Sequence, residues 1–409
     1  MKKLKPPELV VSGLGVVTAV GVGRASFGEA LQQGRSRFGT MRREGRQHGG
    51  SAYVGAEIDP LECPPGVVAH VFRGASLGGQ AALAVVAQAW AEARLADADP
   101  RRIGLVLGGS NLQQRDFALA VQRYAPQPQF VRPSHAAAFM DSDLCGLCSE
   151  QFGIRGYWST AGGASASGQL AIAQAMDAVV GGRVDICIAV GALMDLSWLE
   201  CQAFTAAGAM GGAGFAEHPQ LACRPFDRRS EGFVFGEACG AVVVEREEGC
   251  RARSAQPQAR LLSCAVAVDA NRRPNPSLEG EVAVIGDALA QAGLQPRDID
   301  YVNPHGSGSQ LGDEVEAQAL HRAGLSHARA NTTKSIVGHG LSAAGLVEVV
   351  ATVLQMQGGW LHPCLNMDEP IDRELAWVGN SQAEHRIGRA LSLSIGFGGI
   401  NTALCLERA

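Results

Sequence analysis

Residues 156–191 read GYWSTAGGASASGQLAIAQAMDAVVGGRVDICIAVG. The stretch over 168–180 is rich in alanine, the best helix former, and predicts a helix. GGRVD ends it, and the short apolar run ICIAV at 186–190, closed by Gly191, predicts a buried strand. The small residues before the helix stand where a strand would turn sharply into a helix N-terminus. Such an elbow exposes a side chain and offers free backbone N–H groups to an anion. A serine-capped helix start with no chemistry gives the same pattern.

The alternation continues on both sides. A strand is expected at 9–13, with GLGVVTAVG turning after it. That turn lacks the G-x-G-x-x-G spacing of a phosphate loop and is read as structural. An alanine-rich helix over 78–95 and a buried strand at 103–107 follow. Residues 223–245, CRPFDRRSEGFVFGEACGAVVVE, run as a glycine-punctuated loop into a strand. The polar stretch 245–258, EREEGCRARSAQPQ, is the expected linker. Beyond it, strands at 259–268 and 301–303 and helices at 282–292, 313–323 and 342–357 lead to closing strands around LSLSIGFGGINTALCLE. This order predicts an α/β protein with sheets covered on both faces. Two halves are expected, residues 1–250 and 251–409, and they allow a duplicated core.

Composition removes several function classes. At 46% hydrophobic and 18% charged, the 409 residues are too apolar for disorder, and the low charge suggests a large buried fraction, with room for a subunit interface. A net charge of −5 gives no field for nucleic acid or an anionic membrane. No apolar run was expected to reach the ~18 residues of a bilayer span, and MKKLKPPELVVSGLG lacks a signal peptide's apolar stretch. A cytoplasmic protein is expected. Eleven scattered cysteines fit reduced thiols better than a disulfide framework. Cys145 and Cys148 form one C-x-x-C, but without a second Cys/His pair they are expected to be core residues and not a metal site.

Two further segments stand out. In VNPHGSGSQLGD, residues 302–313, a histidine at a strand end lies among glycines and serines. In NTTKSIVGHGLSAAG, residues 331–345, Lys334 and His339 precede a helix. Each alone could be structural. Together with GYWSTAGGASASG they resemble the β-ketoacyl-acyl carrier protein synthases of the thiolase-like superfamily. That family carries a Cys in T-A-C-x-S-(G/S), a His in V-N-A-H-G-T-S-T-x-x-G-D, and a Lys and His in T-K-S-x-x-G-H-x-x-G-A-A-G. VVSGLGVVTAVG, CRPFDRRSEGFVFGEACGAVVVE and IGFGGINTAL match its opening, middle and closing segments, so the resemblance runs almost end to end. It implies a thiolase-like fold of two similar α/β halves in five layers, and a homodimer.

The departures carry the functional argument. The nucleophilic Cys is missing. Matching Thr160-Ala161 to the family's T-A would put Gly162 in its place. Matching Ser165-Ala166-Ser167-Gly168 to C-x-S-G puts Ser165 there, without gaps on either side, and is preferred. His305, Lys334 and His339 survive. Ser307 and Ser309 replace threonines that contact the pantetheine arm in the family, and Ile395 replaces a phenylalanine before the retained Gly396-Phe397-Gly398-Gly399. A serine hydroxyl is far harder to ionise than a thiol, so self-acylation should fail. Two imidazoles donating to a thioester oxygen can still stabilise the enolate left by decarboxylation. The resemblance therefore implies a malonyl-acyl carrier protein decarboxylase that makes acetyl-carrier protein. It is similar to the Cys-to-Ser subgroup of polyketide β-branching cassettes, whose product feeds an HMG-synthase-like enzyme. Ser165, His305, His339 and Lys334 are the expected catalytic residues, and Ser307, Ser309 and Phe397 the substrate-binding ones. No metal and no tightly bound cofactor is expected, only the phosphopantetheine arm of the carrier. The alternatives are a silent partner of the chain-length-factor type, which usually loses the histidines too, and an acyltransferase acylated on Ser165. In VVAHVFR, residues 67–73, where relatives carry a basic patch for the carrier, only Arg73 is clearly basic.

Overall fold

A computed structural model gives the fold and describes residues 8–409. Its main feature is a continuous sheet whose two ends repeat one wiring. The first half contributes, in chain order, Leu9–Thr18, Ile103–Gly108, Tyr157–Ala161, Ile186–Gly191 and Ala238–Arg246. The second contributes Ala259–Val268, Tyr301–Asn303, Arg329–Ala330, Arg389–Gly396 and Ile400–Arg408. From free edge to centre, both halves run third, second, fourth, fifth, first. In both, the second strand is parallel to the third and fourth, and the fifth is antiparallel to the fourth and first. The two first strands meet antiparallel at the centre, Leu9 opposite Leu261 and Val11 opposite Ala259. Each carries a register shift at the matching place, Val11/Gly13 and Leu261/Ser263. The chain is thus a duplicated unit about a pseudo-twofold axis.

Five layers result. Helices Leu77–Glu92 and Ser142–Phe152 cover the outer face of the first half-sheet. Leu278–Ala292 and Gln310–Arg322 cover that of the second. Ser167–Val180 and Ala344–Gly358 lie between the two half-sheets and touch each other. Apolar residues cluster accordingly, the largest cluster around the middle helices and one under each outer layer. The middle helices cross tightly: a Cβ on Gly168 would stand 2.8 Å from the Leu346 nitrogen.

Two expectations are corrected and one is refined. GLGVVTAVG is not a turn after Gly13, because the strand continues to Thr18. Its glycines serve a close approach: a Cβ on Gly13 or Gly15 would lie 2.2 or 2.0 Å from the carbonyl oxygens of Ala89 and Val85 in helix Leu77–Glu92. The polar stretch 245–258 joins the two halves as expected, between strands Ala238–Arg246 and Ala259–Val268, but it is structured. It holds helix Glu247–Ala252, and the buried Glu245 carboxylate accepts hydrogen bonds from Ser12 and Arg253, both at 2.5 Å. Finally, Leu341–Gly358 does have the length and hydropathy to cross a bilayer, yet it is 89% buried. It is apolar because it lies between two half-sheets, and it carries Glu348 in its middle.

Cys145 and Cys148 lie buried in Ser142–Phe152. Burial pushes the Cys145 thiol up to about 12 and the Cys148 thiol higher still, so neither is a ready thiolate. Among the described residues no His/Cys/Asp/Glu cluster is arranged to hold a metal.

Candidate active site

Ser165 stands on the short turn Ala164–Ala166 between strand Tyr157–Ala161 and helix Ser167–Val180. Ala164 has φ of +47°, a left-handed conformation that costs energy without glycine. Ser167 locks it: its Oγ accepts from the Gly163 N–H at 2.9 Å and donates to the Ala164 carbonyl at 2.7 Å. The same left-handed turn, without the serine lock, recurs in the second half, where Leu341 has φ of +50° just before helix Ala344–Gly358. Ser165 and Ser342 are therefore duplicates. Ser342 donates to the Ala192 carbonyl, whereas Ser165 faces a cavity of about 310 Å³.

Both histidines face that cavity. His339 follows Gly338, and its backbone is fixed by pairing with Val234 and Gly236, at 2.8 and 3.1 Å. Its Nε2 lies 3.0 Å from Ser165 Oγ. The His305 ring is 5.4 Å from the His339 ring, inclined at 78°. His305 lies two residues past the short strand Tyr301–Asn303, where Glu316 of helix Gln310–Arg322 accepts from its backbone N–H at 2.5 Å and from that of Gly306 at 2.8 Å. Lys334, also buried, turns away from the cavity. Its ammonium donates to the His305 carbonyl and pairs with Glu348 of the middle helix. Gly162 does not line the cavity, and a Cβ there would meet Ser110 at 3.3 Å. The geometry thus places Ser165 and not Gly162 with the histidines.

Burial, then the Lys334 charge, hold both imidazoles well below their ordinary pKa, and for His305 the His339 ring adds to this. Both are neutral at pH 7, so each carries one N–H. Neither Nδ1 has a protein partner among the described residues. The carboxyls shift the other way. Burial pushes Asp313, Glu316 and Glu348 up to about 7, the last against the pull of Lys334, and Glu281 up to about 9. One wall of the cavity is apolar, with Met194, Phe204, Phe233 and Leu341. Ser307, Ser309 and Phe397 line another side, and among the described residues no Lys or Arg lines the cavity. Phe397 is 44% exposed and packs edge-on to Phe204.

Comparison with known proteins gives the family. A family model described as Beta-ketoacyl synthase, N-terminal domain, matches residues 7–249, and its C-terminal counterpart matches 258–368. The chain belongs to the β-ketoacyl synthase family. The polyketide biosynthesis malonyl-ACP decarboxylase PksF of Bacillus subtilis is 51% identical over 407 residues, 100% of this chain and 98% of PksF. A putative polyketide β-ketoacyl synthase 1 of Streptomyces halstedii is 33% identical over 98% of this chain and 97% of its own. Among solved structures, the ishigamide ketosynthase/chain length factor superposes with a TM-score of 0.90 at 25% identity, covering 99% of this chain and 100% of that one. The AntDE:AntF complex, a type II ketosynthase with its acyl-carrier protein, gives 0.88 at 26%, with 99% and 100% covered. The thiolase-like fold of these β-ketoacyl synthases is the fold seen here.

Sequence reading missed three groups in this β-ketoacyl synthase site. Glu348 was hidden in a run read only as apolar helix, and a lone acid in such a run was the available signal. Phe233, whose ring meets His339 edge-on at 5.3 Å, lay in the quoted middle segment without a role. Glu281 fell just before the helix expected at 282–292, in no motif; the helix in fact begins at Leu278.

Proposed function

We propose that this protein decarboxylates malonyl-acyl carrier protein to acetyl-acyl carrier protein in polyketide β-branching. The observation that carries this is the pair of neutral histidines facing one cavity with a serine in the nucleophile's place. With the thioester oxygen between His305 and His339, their N–H groups stabilise the enolate oxygen as CO₂ leaves. The malonyl carboxylate meets no Lys or Arg among the lining residues, so loss of CO₂ removes a charge the cavity does not compensate. Lys334 positions His305 through its carbonyl. PksF, named a malonyl-ACP decarboxylase, supports the reading.

Ser165 acts here without forming an ester. A serine nucleophile needs a base oriented by a third group, and His339 Nδ1 has no such partner among the described residues. Its hydroxyl bonds His339 and helps to orient the ring. The phosphopantetheine arm runs past Ser307, Ser309 and Phe397, with no other cofactor. A homodimer is supported by the unpaired edge of strand Tyr157–Ala161, which offers free backbone groups and the 46% exposed Trp158 to a second copy. A cytoplasmic setting suits eleven free cysteines.

Incubation of the protein with malonyl-carrier protein tests this. Acetyl-carrier protein with no adduct on the enzyme is the expected result. An acyl group on Ser165 would make it a transferase, and an unchanged substrate would make it a silent partner.

A further inference from the structure

Decarboxylation leaves an enolate whose carbon must receive a proton, and the groups already assigned cannot supply it. Each neutral imidazole has one N–H, and the reaction proposed above uses both on the thioester oxygen. The Ser165 hydroxyl is too weak an acid. Four carboxyl groups line the cavity: Asp269, Glu281, Asp313 and Glu316. Three are held as hydrogen-bond acceptors. Asp313 takes the N–H groups of Phe226 and Gly308, at 2.6 and 3.1 Å. Glu316 takes those of His305 and Gly306. Asp269 accepts from the Asn401 amide at 2.8 Å.

Glu281 differs. It is 1% exposed, lines the cavity that holds Ser165 and both histidines, and neither of its oxygens has a protein partner among the described residues. It sits in the first turn of helix Leu278–Ala292, beside Gly280, where the Asp269 carboxylate packs so closely that a Cβ would lie 1.8 Å from it. A buried carboxyl without donors, facing Asp269, Asp313 and Glu316, is stable only in its protonated form. Burial first and then Glu316 raise it accordingly. Among the described residues it is the one uncommitted acid in the site.

We infer that Glu281 is the general acid that protonates the enolate carbon after CO₂ has left. This rests on the decarboxylase reading above. The Glu281 O–H bond breaks and a C–H bond forms from the electron pair of the enolate double bond. The oxygen held by His305 and His339 returns to a thioester carbonyl, and acetyl-carrier protein results. The Glu281 carboxylate then takes a proton from water at the cavity mouth. A condensing enzyme, whose enolate attacks an acyl group, has no use for such an acid.

The test compares wild type, Glu281→Gln and Glu281→Ala for conversion of malonyl- to acetyl-carrier protein, with thermal midpoints and pH profiles. Glu281→Gln should lower turnover about 10²-fold or more, the usual contribution of a general acid, without a lower thermal midpoint at pH 8. Wild-type turnover should fall as pH rises through the Glu281 pKa, and that limb should vanish in the variant. Formic acid should restore part of the turnover of Glu281→Ala by entering the vacated space, and should do nothing for Glu281→Gln. Unchanged turnover in Glu281→Gln would overturn the assignment. So would a loss accompanied by a lower midpoint and no formate rescue, which would make Glu281 structural. If wild type itself makes no acetyl-carrier protein, the decarboxylase reading fails first, and the two failures are told apart.

Discussion

Lys334 and Glu348 offer the sharpest test of how this site is held. Both side chains are 1% exposed, and their contact is the link between the His305 carbonyl and the middle helix. Removing one member of a buried pair leaves the other charge uncompensated, at about 3–5 kcal/mol. Replacing both with apolar groups of similar size removes the penalty. Lys334→Met and Glu348→Met should therefore each destabilise strongly, while the double variant recovers most of the loss. Unfolding entropy is about 2.1 cal/mol/K per residue, so for 409 residues each single change should lower the thermal midpoint by roughly 3–6 °C. Activity should not follow stability. The double variant still lacks the ammonium that donates to His305, and loss of a charged hydrogen bond of about 1.5 kcal/mol should lower turnover roughly tenfold. The assay is a thermal-melt double-mutant cycle read beside acetyl-carrier protein formation. If the two single destabilisations simply add in the double variant, the pair is not coupled. If the double variant regains full turnover, Lys334 does not position His305.

His305→Ala and His339→Ala should each lower decarboxylation by about 10²–10³, the cost of one lost donor to an oxyanion; intact mass of the carrier protein measures it, and near-normal turnover removes that residue from the mechanism. Ser165→Cys should gain a thiol that takes an acyl group from a thioester, because the helix N-terminus and His339 favour its thiolate. Gly162→Cys should stay unreactive, and mass spectrometry after acyl-thioester treatment decides between the two. Ser165→Ala should keep much of the decarboxylase activity. Glu281 has a raised pKa in the fold, so the unfolded chain releases its proton first, and stability is lost as pH rises from about 4 toward the folded value. Glu281→Gln should therefore gain on wild type as pH rises over that range, by up to about 1.4 kcal/mol per pH unit; parallel melt curves at pH 5 and 8 would refute the shift.

The sequence alone determined the alternation of strands and helices and, through its resemblance, the candidate residues. Strand and helix alternate audibly in 156–191 because alanine-rich and β-branched runs have opposite local preferences, and these survive packing. His305, Lys334, His339 and Ser165 were legible because their glycine-rich segments, which permit tight turns that hold a side chain at a strand or helix end, match the family's segments in order. Tertiary structure decided what local preference does not encode. Gly13 and Gly15 read as a turn, but their lack of a side chain serves a helix that arrives from residues 77–92. Leu341–Gly358 read as helix, but only its place between two half-sheets shows why it is apolar and why Glu348 is in it. The choice of Ser165 over Gly162 became geometric only when His339, from the other half of the chain, came within 3.0 Å. Glu281 was invisible in the sequence, since a glutamate in a helix is ordinary. It became a candidate acid when folding buried it among Asp269, Asp313 and Glu316 with no donor to hold its charge. Burial and unpaired lone pairs are properties of what surrounds a residue in space, and most of those neighbours are far away along the chain.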